Sequence, residues 1–148
     1  MPPTPLPSDD HIVRYARKRV LIWDDDENVL GVFPQAFELR ENETYLSVTW
    51  LQYFSDDYEH GLIESAAAVR RQLEVKPRDG FTTGCVGTVQ EKCNALNVRV
   101  RILHEPVAPE NEGHSAWRGV PRDNDDLLAL MAAEVFTDTR AARDVPAP

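Results

Sequence analysis

Residues 44–54 (TYLSVTWLQYF) carry the clearest alternation in the chain. Leu46, Val48 and Trp50 fall on one face and Ser47 and Thr49 on the other, the period-2 signature of a strand. Residues 98–104 (VRVRILH) repeat it, with Val98, Val100, Ile102 and His104 on one side and Arg99 and Arg101 on the other. Two β-rich runs, 19–23 and 29–33, flank the Asp/Asn-rich link 24–28 and read as a hairpin, which Pro34 ends because it has no N–H to give. Residues 12–15 suggest a short preceding strand, and residues 114–120 another late one.

Helical spacing fills the gaps. Leu62, Ala66, Val69 and Leu73 form one stripe, with Asp56 and Glu59 at capping-box spacing before it and Pro77 and Gly80 after it. Residues 81–85 read as a lead-in to a second helix, whose stripe is Val86, Val89, Cys93 and Leu96. A third opens at Asp123 and turns Leu128, Met131 and Val135 inward. The order β-β-β-α-α-β-β-α has no regular βαβ alternation. It predicts an α+β fold: an antiparallel or mixed sheet of about five to six strands, with three helices on one face.

A chain of 148 residues fits one domain, which needs neither a disulfide nor a metal to hold it. Four of the eleven prolines fall in the first seven residues, so 1–8 and 141–148 are expected to be loose tails around a domain at 9–140. The start lacks the basic and apolar regions of a signal peptide, and no apolar run is long enough to span a membrane. Cys85 and Cys93, eight positions apart along one predicted helix, are about 12 Å from each other, too far to bridge. Free thiols point to a cytoplasmic setting. The net charge of −9 argues against general nucleic-acid binding.

Ala36-Phe-Glu-Leu-Arg40 followed by residues 45–51, and His104-Glu-Pro106 followed by Gly113-His-Ser115, resemble a group of small bacterial proteins of uncharacterised function. The resemblance spans about residues 10–136. It implies a bacterial cytosolic domain that belongs to a multi-gene operon, and it carries no catalytic assignment.

Several residues could carry chemistry. Cys85 follows Thr82-Thr-Gly84 at a predicted helix N-terminus, where exposed N–H groups stabilise a thiolate. His104 and His114, on strands joined by a nine-residue loop, are the candidate general base or its partner. No cofactor motif is present, and the Asp24–Glu27 run lacks the ligand positions of an EF-hand, so neither cofactor nor metal is expected. Arg14, Arg17, Lys18 and Arg19 form a basic cluster whose simplest role is pairing with that acidic turn. Trp117 and Tyr53 are candidate anchors for a protein partner.

Two functions stay open. The favoured one is a small acidic accessory protein that docks onto another protein, as an operon component of the defence or toxin–antitoxin kind would. The alternative is a small hydrolase or transferase using Cys85 with a histidine.

Overall fold

A computed structural model describes residues 2–148. The chain folds as a mixed α+β structure with nine strands and four α-helices among the described residues, more of each than the pattern predicts. The strands are β1 (Thr4–Pro5), β2 (His11–Ala16), β3 (Leu21–Trp23), β4 (Val29–Val32), β5 (Tyr45–Trp50), β6 (Gly80–Cys85), β7 (Arg101–His104), β8 (His114–Arg118) and β9 (Asp138–Ala141). The helices are α1 (Leu51–Phe54), α2 (Tyr58–Gln72), α3 (Val86–Ala95) and α4 (Asp125–Leu130). Seven strands form one sheet in the order β1-β7-β8-β5-β2-β6-β9, and β3 and β4 make a separate hairpin. Every pairing is antiparallel.

The expected hairpin is present. The Asp24 carboxylate accepts the N–H groups of Asp26 and Asn28, and Glu27 takes the left-handed turn at φ 62°. Helix α2 is capped one residue later than the capping-box spacing suggests, with Asp57 accepting the N–H of His60 at 2.9 Å. Asn124 caps α4, which runs on into a π-helical turn, Met131–Val135.

The sheet has a core on each face, where helices on one face are expected. Ile12, Leu46, Val48, Ile102 and Trp117 pack on α3, α4, Phe37 and Phe136. Val13 and Phe81 pack on Leu62, Ala66 and Val69 of α2. Strand β2 alternates Ile12 to one side and Val13 to the other, so its two-faced burial reads as neither a helix stripe nor a half-exposed strand.

Three strands escape the pattern for identifiable reasons. Residues 80–85 (GFTTGC) are poor in bulky apolar side chains, yet β6 is almost wholly buried. Gly84 packs closely there: a Cβ would lie 3.0 Å from the Phe136 ring, which would have to shift by a few tenths of an ångström to admit it. Of the expected loose tails, Met1 lies outside the described residues, and Thr4–Leu6 and Ala141–Val145 are built into the fold. β1 pairs with β7, Leu6 donates its N–H to Ile102 O, and Leu6 joins the core; the prolines are tolerated because β1 is an edge strand. At the other end β9 pairs with β6, while Ala142 and Val145 are buried beside α2.

Candidate functional site

The structure separates the three residues expected to share an active site. His104 pairs with Ser115 across β7–β8, and a one-residue offset sends His104 and His114 to opposite faces of the sheet. His104 donates Nε2–H to Glu112 O at 2.7 Å and packs edge-on against Trp50. His114 is buried, its Nδ1 bonded to Glu105 O at 2.8 Å and its Nε2 to Ser47 Oγ at 3.2 Å. Both imidazoles are occupied as structural hydrogen-bonding groups.

Cys85 lies three strands from β8, roughly 14 Å across the sheet at the usual strand spacing. Its thiol donates to Ser8 O at 3.3 Å. The histidine that does face it is His11, its cross-strand partner, which sequence reasoning missed because the two are 74 positions apart. Gln52 brackets His11: its Oε1 accepts the main-chain N–H of His11 at 2.7 Å, and its Nε2 lies 2.9 Å from the ring Nδ1. Nδ1 therefore accepts from Gln52 and is not free to take a proton from the thiol.

Of the two expected anchors, Trp117 is 0% exposed, stacked on Phe136 at 5.7 Å and tilted against Phe37. A side chain with no surface cannot anchor a partner, so that expectation is corrected. Tyr53 is 41% exposed and braced by Trp50, Phe54 and His104, at the end of β5 remote from Ser47.

A larger cavity than any beside these residues lies at the seam between β2 and β5, with Arg14, Tyr15 and Ser47 in its lining. These strands pair at Ile12–Trp50 and Val13–Thr49 and then part. Continued register would set Tyr15 opposite Ser47; instead the Arg14 side chain crosses the gap. Its Nη1 donates to Ser47 O and its Nε to Ala36 O, both at 2.8 Å. Two of the five guanidinium donors are thus used, and among the described residues no further hydrogen bond occupies the other three.

That opening is a cavity of about 610 Å³, in the size range of small-ligand sites. Arg14, Arg17, Arg19 and Arg40 line it, with Val20, Leu39 and Leu73 as apolar wall. Glu38 and Glu43 also line it, and the Glu43 carboxylate accepts the Arg40 N–H at 2.8 Å. Among the described residues none of the four arginines forms an ion pair, in a chain of net charge −9. The acidic turn expected to neutralise this cluster is engaged by others: Arg78 pairs with Glu27 at 3.0 Å, and Arg143 donates to Glu27 O.

Burial pulls the Arg14 pKa down to about 10, with Glu43 opposing, so the group stays charged at neutral pH. The adjoining wall is tied together by hydrogen bonds. The buried Asp79 carboxylate accepts the Tyr15 hydroxyl at 2.7 Å and the N–H groups of Lys18 and Lys76. The basic cluster was legible in the chain, but Arg40 joins it only through tertiary structure.

No model of a known protein family matches the chain, and no curated protein or solved structure matches it significantly. Among the described residues no helix is long and apolar enough to cross a membrane, and no group of three or more His, Cys, Asp or Glu side chains is placed to hold a metal ion.

Proposed function

We propose that this protein is a non-catalytic binding module, a small acidic accessory protein that acts by docking, and that the Arg14 cleft takes an anionic group of its partner. One observation carries the reading: four arginines without ion pairs surround one cavity in a chain with a surplus of carboxylates. Arg118 and Arg140 are held by carboxylates and Arg70 by two backbone carbonyls, whereas the arginines lining the cavity have no carboxylate partner and are placed to offer donors to an anionic ligand. What weighs against the hydrolase or transferase is the dispersal of Cys85, His104 and His114, each bonded to a backbone carbonyl. Service as one component of a bacterial operon, as the resemblance implies, fits a docking role.

The test is calorimetric titration with citrate and with inorganic phosphate at low and moderate salt. Saturable binding is expected, weakening as salt rises. Arg14→Met should lower affinity about tenfold to a hundredfold, the range for a charge-assisted hydrogen bond. Arg17→Ala with Arg40→Ala, both exposed positions, gives a check that does not depend on the half-buried Arg14. Absence of saturation by either anion, or affinity unaltered in both variants, would overturn the reading.

A further inference from the structure

The parted strands leave more than arginines facing the cleft. On β2 the bond from Val86 N–H to Asp10 O shows that even-numbered residues turn their main-chain groups toward β6. The odd-numbered ones, Tyr15 among them, turn toward β5. On β5 the bond from Trp50 N–H to Gly113 O shows that even-numbered residues serve β8, so Tyr45 and Ser47 turn toward β2. Pairing between the strands ends at Val13–Thr49, and the Arg14 guanidinium takes one of the freed acceptors, Ser47 O. Two strand edges therefore face each other across the opening with their ladder unmade, and Ser47 is exposed.

Resting on the reading of the cleft as an anion site, we propose that its ligand is an extended acidic peptide segment of a partner protein, lying between β2 and β5 and pairing with their free edges. Arginines without ion pairs supply the charge complementarity. The register supplies the shape, since an extended chain is what a strand edge recognises.

The two faces of the sheet set the side-chain pattern. Arg14 lies on the Ile12 face, where the turn holding Ala36 and Arg40 closes the cavity. Leu73, 48% exposed at the end of α2, lies on the other. A bound strand alternates its side chains between these faces, so acidic residues at every second position meet the arginines, and apolar ones between them meet Leu73.

The experiment titrates the full chain with the peptide Ac-Glu-Val-Glu-Val-Glu-NH2. Two controls accompany it: the same peptide N-methylated at alternate amides, which keeps the charge and removes main-chain donors, and the equally charged Ac-Glu-Glu-Val-Val-Glu-NH2. Inorganic phosphate forms a fourth arm. The alternating peptide should bind, and each control should bind about tenfold more weakly or worse. Arg17→Ala with Arg40→Ala should weaken it, and circular dichroism should show an unchanged fold. Equal binding of the methylated or reordered peptide, or saturation by phosphate alone, would overturn strand pairing and leave the anion site standing. Silence in every arm would overturn both.

Discussion

Strand β2 has two sides, and they differ. Toward β6 it pairs along all six residues, from His11–Cys85 to Ala16–Gly80; toward β5 it pairs at two and then leaves. Two arginines mark the contrast. Arg140, on β9 beyond β6, is held by Glu59 through two bonds at 2.7 Å and by Asp138 at 3.0 and 3.1 Å, while Tyr58 donates to the same Asp138 at 2.6 Å. Arg14, at the open seam, meets two carbonyls and no carboxylate. Beside the complete ladder, the charge of Arg140 is consumed by structure. Where the ladder stops, charge is left over, and leftover charge in an enclosed space is what a ligand can use.

The largest effect should come from the closed side. Phe81 is buried between Tyr15 and α2, so Phe81→Ala should cost about 3–5 kcal/mol in urea unfolding.

Next in size are the carboxylates that hold the laddered side and the cleft wall. Burial alone would raise Asp79, but the Lys76 N–H, the Tyr15 hydroxyl and the Lys18 N–H outweigh it and keep its pKa below the usual carboxylate range. Burial likewise opposes Arg140 and Tyr58 at Asp138, and the net direction is again down. A carboxylate lowered in the folded state stabilises it above the unfolded pKa, about 3.9, and loses that contribution as pH falls through the folded value. Urea midpoints should therefore hold near neutral pH and drop below about pH 4. Asp79→Ala should cost about 2–3 kcal/mol by stranding three donors, and should flatten part of that acid slope.

The two arginines give the sharpest comparison. Arg140→Met should cost about 2 kcal/mol of stability by leaving Asp138 without its cation. Arg14→Met should cost no more than about 1 kcal/mol, since a half-buried charge without a counter-ion is removed along with its two hydrogen bonds. Its loss should fall on ligand affinity instead. Equal stability losses, measured side by side in urea, would erase the distinction between a structural and a recognition arginine.

The smallest expected effect concerns the thiols. Burial pushes the Cys93 thiol up to about 11, so in the native protein iodoacetamide should modify Cys85 and spare Cys93. His114→Ala should leave the Cys85 rate within about twofold, because that imidazole lies on another strand three places away. A larger slowing would return the thiol–histidine enzyme to consideration.

The sequence by itself determined the elements whose order comes from neighbouring residues. The 44–50 strand, the α2 stripe, the acidic hairpin turn and the caps near Asp57 and Asn124 all express local periodicity or a local hydrogen bond. It also displayed the basic run from Arg14 to Arg19. Tertiary structure alone decided the rest. GFTTGC is a strand because β2 and β9 pair with it on both sides, and residues 4–6 and 138–141 are ordered because distant strands accept them. His104 and His114 part because strand pairing assigns alternate residues to opposite faces. Arg14 becomes a site because β2 meets β5 for two residues and no further, bringing Arg40 and Ser47 to it from more than twenty positions away. Where a ladder ends depends on the packing of both sheet faces at once, and no stretch of neighbouring residues encodes that.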